Sequence, residues 1–257
     1  MKAIDLFVMA GQSNMQGWMG DAAQYHADTE LLDRNIRFYW VTPGYSSSSN
    51  AWKTMQAQGG RFSAGHFGPE VTFARFLLKN GFRPAIFKYS LGATGLAKDW
   101  RGPGENGLYD AMVAEYKKAA LLLVKHGYTV RVRAFIWIQG ENDAATKDLA
   151  EGYYARLCLL IKDLRENVVK NPDLPVILGI DEQHPFVKTN PIIIAAHKKF
   201  ADENHQAVFT SMRGLPKADS SHLTPAGLAV HGKRLFEAFD GILNKRVVKN
   251  ISAQKEK

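Results

Sequence analysis

The chain of 257 residues carries one cysteine, Cys158, which excludes an internal disulfide framework and any zinc site built on clustered thiolates. No apolar run approaches the ~18 residues that a membrane helix requires. Internal repeats and a Pro/Gly/Ser-rich linker between folded units are also missing, so residues 1–244 are read as one domain. Acidic residues are in deficit, with 25 Asp and Glu against 33 Lys and Arg and a formal net charge of +8. Half of that excess sits in residues 245–257, where Lys245, Arg246, Lys249, Lys255 and Lys257 face only Glu256. A solvated, frayed basic tail is the expectation there. No nucleic-acid motif accompanies the charge, and neither nucleic acid nor membrane is expected as a partner.

What remains is an ordinary globular composition, 46% hydrophobic and 23% charged. Short apolar runs at 4–10, 85–89, 132–138, 176–180 and 207–210 read as strands. The first is too short for the core of a secretory signal. Helical patterns lie between them at 69–79, 108–126, 149–169 and 192–203, with a last one at 225–243. Pro69 suits a first helical position, and Gly81 and Gly127 suit C-terminal stops. Alternating strands and helices predict an α/β fold, with a parallel sheet of about five strands covered by helices on both faces. Residues 40–68, rich in Ser, Gly and aromatics, are expected to form a long loop at the rim of a site.

Sites in open α/β sheets form outside the carboxyl ends of the strands. The first strand ends in Gly11-Gln12-Ser13-Asn14-Met15, the second in Ser90-Leu91-Gly92-Ala93-Thr94-Gly95, and the third in Gln139-Gly140-Glu141-Asn142-Asp143. Asp219-Ser220-Ser221-His222-Leu223-Thr224-Pro225 precedes the last helix. A serine hydroxyl is a poor nucleophile until a base takes its proton, and a third group must hold that base in one tautomer. Asp219 and His222, three apart, fit the orienter and the base for Ser13. The developing oxyanion requires donors, for which the amides of Ser13 and Gly92 and a side-chain amide of Gln139 or Asn142 are candidates.

These four blocks resemble those of SGNH-type hydrolases. The Gly-Gln-Ser-Asn-Met start, Gly68-Pro69-Glu70 and Trp137-Ile138-Gln139-Gly140-Glu141-Asn142-Asp143 are similar to the sialate O-acetylesterase and acetylxylan esterase branch, carbohydrate esterase family six. The resemblance spans residues 4 to 235. It implies a flavodoxin-like three-layer fold, a Ser13–His222–Asp219 triad, no cofactor, and removal of acetyl groups from oligo- or polysaccharides. Gly92 is implied as an oxyanion donor. Gly92-Ala93-Thr94-Gly95 departs from the Gly-Gly-Thr-Ser expected of the branch. In the third block, Asn142 matches the general Gly-x-Asn-Asp register, whereas the branch favours the glutamine, Gln139.

Each candidate has a rival. Asp181-Glu182-Gln183-His184 repeats the Asp-x-x-His spacing, but His184 is followed by Pro185, while His222 leads into a plausible helix start. Glu141 is read as a buried brace of the Ser13 turn and not as a metal ligand, with no His or Asp cluster beside it. Gln12, Trp52, Trp100 and Arg101 are expected as substrate contacts, with Arg61, Lys98 and Arg101 favouring an acidic sugar. An esterase or thioesterase of lipid-like substrates and a non-catalytic glycan-binding protein are the alternative functions.

Overall fold

A computed structural model describes the backbone of residues 2–255 and the side chains through Lys245. The strands are β1 (Lys2–Gly11), β2 (Arg37–Thr42), β3 (Ser46–Ser47), β4 (Lys53–Thr54), β5 (Pro84–Ser90), β6 (Tyr128–Ile138), β7 (Val176–Ile180) and β8 (Ala207–Ser211). The main helices are α1 (Ser13–Gln16), α2 (Glu70–Lys79), α3 (Leu108–Lys125), α4 (Lys147–Glu151), α5 (Tyr153–Asp163), α6 (Pro185–Thr189), α7 (Ile192–Glu203) and α8 (Pro225–Lys255). No helix among the described residues is long and apolar enough to cross a membrane.

Strands β5-β1-β6-β7-β8 lie parallel in the order 2-1-3-4-5, the flavodoxin-like arrangement, and β2 extends the parallel set beyond β5. The strand count therefore exceeds the expected five. The added strand is built from Phe38, Tyr39, Trp40 and Val41, and the antiparallel β3 and β4 both pair with it. Residues 40–68, expected as loop, thus begin inside the sheet.

Alternation along β1 explains the three layers. Leu6, Val8 and Ala10 face one core, with Phe135 and Trp137 of β6 and the inner faces of α3, α5 and α7. Phe7 and Met9 face the other, with Ile136, α2 and α8. Phe7 meets Phe73 and Phe239 edge-on, at 5.4 and 5.2 Å between ring centroids. Burying a side chain of this size contributes about 1.5–3 kcal/mol. The helix stops fall where expected: Gly81 and Gly127, both with positive φ, lie just beyond α2 and α3. The helical pattern at 149–169 is divided among α4, α5 and a π-helical segment, Leu164–Val168. The expected basic tail at 245–257 continues the backbone of α8 as far as Lys255; its side chains beyond Lys245 lie outside the described residues.

Candidate active site

The order of strands reverses between β1 and β6, and the candidate residues gather at that crevice. β1 ends at Gly11, which has a φ of +148° and sits so close to β6 that a Cβ would lie 2.0 Å from the Ile138 carbonyl oxygen. Only glycine allows the chain to turn there. The next residues form α1, so the amide of Ser13 belongs to a first helical turn, whose N–H groups lack intrahelical acceptors. Ser13 is 7% exposed and lines a pocket of about 230 Å³ with Trp18, Tyr45, Gly92, Ala93 and His222.

The loop before α8 brings the histidine to this pocket. Asp219 Oδ1 accepts hydrogen bonds from the amides of Ser221 (2.7 Å) and His222 (2.8 Å), closing a tight turn. Asp219 Oδ2 lies 2.8 Å from His222 Nδ1. Partial burial acts to raise the Asp219 pKa, but the bonds from the His222 ring and these two amides outweigh it and hold the carboxyl below its ordinary value. Thr224 Oγ1 accepts from the Gly227 amide at 3.0 Å and opens α8. Asn14 ties the two halves together: its Nδ2 donates to the Ser221 carbonyl and its Oδ1 accepts from the Leu223 amide, each at 3.1 Å.

The second Asp-x-x-His pair is built differently. His184 Nδ1 accepts from the Phe186 amide as the cap of α6, and the Asp181 carboxylate takes Lys217 Nζ and the Gln183 amide. Asp181 and His184 therefore do not form the carboxylate–imidazole bond that Asp219 and His222 share.

Several expected contacts lie elsewhere. Trp100 is fully buried, edge-on to Trp137 at 4.8 Å, with Nε1 donating to Thr94 Oγ1. Trp52 packs against Tyr39 and donates to the Ala119 carbonyl of α3 at 2.8 Å. Trp100 belongs to the main core and the partly buried Trp52 packs against it, where large apolar surface finds better burial than on a rim. Arg101 is exposed and donates to the carbonyls of Lys98 and Glu105, outside the pocket lining. Glu141 does not brace the Ser13 turn: it accepts from the Asp181 amide at the end of β7, and burial pushes its pKa up to about 7.

The oxyanion candidates separate as well. Gln139 is fully buried, and its Nε2 donates to the Thr94 carbonyl (3.0 Å), Asp143 Oδ2 (2.8 Å) and Gln12 Oε1 (3.4 Å). Gln12, 3% exposed, serves as a partner of Gln139 and of the Gly140 amide. Neither Gln12, Gln139 nor Asn142 lines the pocket. Gly92 does, and a Cβ there would stand 3.4 Å from that of Ser13. The positive φ in this turn falls on Ala93, at +59°, and not on Gly92. The Gly92 amide donates to Gln16 Oε1 at 2.8 Å.

Trp18 and Gln16 are not singled out by the sequence, whereas Tyr45 lies in the aromatic stretch 40–68 expected at the rim and Asn14 in the Gly11–Met15 block. Trp18 sits 6.2 Å from the His222 ring and 6.2 Å from Tyr45 between centroids, with the Arg61 guanidinium 4.1 Å from the centre of its ring. The available signal was an aromatic residue one turn beyond the serine. Beneath the turn, Lys88 Nζ donates to the Gln16 carbonyl (3.1 Å) and to Glu70 Oε2 (2.7 Å), with both charged side chains fully buried. Among the described residues no group of three or more His, Cys, Asp or Glu is arranged to hold a metal ion.

Known proteins share this arrangement of elements. A probable carbohydrate esterase of Arabidopsis thaliana is 26% identical over 91% of this chain and 89% of its own length. The crystal structure of the Arabidopsis protein superposes with a TM-score of 0.69 at 23% identity, covering 93% of this chain and 98% of that one. NanS superposes at 0.65 with 16% identity, covering 95% and 99% of the two chains. A carbohydrate acetylesterase from Xanthomonas citri does so at 0.60 with 19% identity, covering 91% of this chain and 55% of its own. The family model described as carbohydrate esterase, sialic acid-specific acetylesterase matches residues 3–240, and the chain belongs to that family.

Proposed function

We propose that this carbohydrate esterase removes O-acetyl groups from sugars through an acetyl-enzyme on Ser13. The observation that carries the reading is the 2.8 Å contact of His222 Nδ1 with Asp219 in a loop that brings His222 to the pocket of Ser13. With Nδ1–H donating to the carboxylate, Nε2 is left as the acceptor. Ser13 Oγ attacks the acetyl carbonyl carbon as Nε2 takes its proton, and the carbonyl oxygen becomes an oxyanion. The tetrahedral intermediate collapses when the sugar oxygen leaves with the proton returned by Nε2. Water, deprotonated by the same nitrogen, then attacks the acetyl-serine and releases acetate.

The oxyanion is assigned to the amides of Ser13 and Gly92. The Gln139 amide nitrogen is committed to three acceptors, and Asn142 does not line the pocket. Asp143 also holds the amides of Leu96 (2.6 Å) and Ala97 (3.0 Å), so Gln139 and Asp143 together fix the end of the Gly92 turn. The acetyl group is placed in the pocket of about 230 Å³ that Ser13 and Gly92 line.

Replacing Ser13 with alanine is expected to lower kcat on 4-nitrophenyl acetate by about 10³-fold or more, given the scale of nucleophile deletions. An organophosphonate is expected to label Ser13, as read by peptide mass spectrometry, and the 4-nitrophenyl octanoate ester to be hydrolysed at least tenfold more slowly than the acetate. Full activity in Ser13→Ala, or labelling at another residue, would refute the assignment.

A further inference from the structure

We infer that a second sugar subsite adjoins the catalytic pocket and takes the uncharged, unacetylated sugars of an oligosaccharide substrate. This inference rests on the esterase reading and extends it from a single sugar to a chain. Beside Tyr45 lies an open groove of about 520 Å³, more than twice the volume of the pocket of Ser13. Tyr45 lines both spaces. It is 52% exposed and meets Trp18 edge-on, leaving ring surface free beside the pocket. Aromatic rings of this kind stack on the apolar faces of sugars.

The chemistry of the groove selects its occupant. Its walls include Thr42, Ser46, Ser47 and Ser49, and no ionisable acid or base contributes to them. Ser46 Oγ accepts from Trp40 Nε1 at 2.9 Å, and Ser47 Oγ accepts from the Ser49 amide at 3.3 Å. Each of those hydroxyls keeps its own proton to donate. Thr42 is 1% exposed, so the hydroxyls open to the groove are those of the serines. Sugar hydroxyls both donate and accept, and they match this set. A uronate or a phosphate would find no cation among these walls, and an acyl chain would find too few apolar ones.

The groove is formed in advance of binding. β2 and β3 pair Val41 with Ser47 and Thr42 with Ser46, and the Tyr45 amide donates to the Thr42 carbonyl at 2.9 Å, holding Tyr45 at the tip of a tight turn. An acetylated sugar in the pocket places its neighbour across Tyr45 and into the hydroxyl-lined space.

Gly59 provides the test. A Cβ at this exposed position would meet only Ser46 Oγ, at 3.6 Å, so Gly59→Phe fills the groove without crowding the core. The wild-type enzyme is expected to prefer acetylated xylotetraose over mono-O-acetylated xylose by tenfold or more in kcat/KM, mostly through KM. Gly59→Phe is expected to erase that ratio while leaving 4-nitrophenyl acetate hydrolysis within twofold. Equal use of the two sugars by wild type, or a ratio that survives Gly59→Phe, would overturn the subsite. Failure to hydrolyse any acetyl ester would count against the esterase reading instead. In that case the groove is read by NMR titration of unacetylated xylotetraose into wild type and Gly59→Phe. Binding lost in the variant supports the subsite; no binding to wild type, or tighter binding of tetragalacturonate than of xylotetraose, overturns it.

Discussion

Gln16 stands between two roles. Its Oε1 holds the Gly92 amide, the group the proposed reaction needs for the oxyanion, while its Nε2 is buried without a partner. A neutral hydrogen bond of this kind is worth about 1 kcal/mol net. That bond has to be shared or released before the amide can serve a developing charge. Gln16→Leu is therefore expected to raise kcat on 4-nitrophenyl acetate up to about fivefold, the factor that 1 kcal/mol corresponds to. A tenfold fall would show instead that Gln16 keeps the Gly92 turn in position. Asn14 acts at the same scale, since its two bonds to the loop of Asp219 and His222 set the distance across which a proton would travel.

At the scale of elements, the turn after β1 is supported from below by a charge pair. Lys88 of β5 and Glu70 of α2 are both fully buried, and Lys88 also holds the carbonyl at the end of α1. Burial drives the Lys88 pKa down, and the Glu70 charge pulls it back up. Glu70 also accepts from the amide of Gly68 (2.9 Å) and from Gln58 Nε2 (3.1 Å). Removing one partner leaves the other uncompensated, so Glu70→Gln is expected to cost about 3–5 kcal/mol in urea unfolding. Replacing both residues, as in Glu70→Leu with Lys88→Met, is expected to cost less than the single change.

The strands and the gathering of residues at their ends were legible because both follow from local pattern. Val176–Ile180 and Ile192–Glu203 occur as the apolar spacing alone dictates, and Ser13, Gly92 and His222 converge because parallel strands bring their carboxyl ends to one edge. Strand β2 was missed because its aromatic run opens into serines and glycines, which masked a short edge strand as loop. Trp52 and Trp100 were read as rim residues because a sequence reveals that a segment is a loop without revealing which face its ring presents. The pairing of Gln139 with Asp143 and of Gln16 with Gly92 depends on side-chain geometry at contacts of 2.8 Å, and no spacing rule carries that.

At the scale of the whole molecule, buried titratable groups link stability to pH in opposite directions. Burial pushes His197 and His231 down to about 3 and His66 down to about 4. Below pH 6.5 the unfolded chain takes up protons that these imidazoles refuse in the fold. Their contribution is thus complete above pH 6.5 and falls toward pH 3, by up to about 1.4 kcal/mol per pH unit for each histidine. Glu141, raised to about 7, works the other way: its contribution is complete below its ordinary value and is lost as pH rises through 7. The histidines outnumber it, so net acid destabilisation is expected between pH 6 and 4. Neither nitrogen of His231 has a partner, so His231→Leu is expected to flatten that slope by about one proton's worth in urea midpoints measured against pH. An unchanged slope would mean that His231 is not the neutral, buried imidazole its surroundings imply.

The bonds from Asn14 to the loop of His222 join positions 207 and 209 residues apart. A ribosome adding about 5–20 residues per second delivers the serine about 10–40 seconds before it delivers the histidine. On the proposed reaction, the nascent chain during that interval holds a hydroxyl with no base, and a product that stops short of His222 is expected to be inert. On that proposal the order of synthesis acts as a safety catch: hydrolytic competence would arrive with completion of the fold, so a serine-directed probe is expected to count finished molecules and ignore fragments.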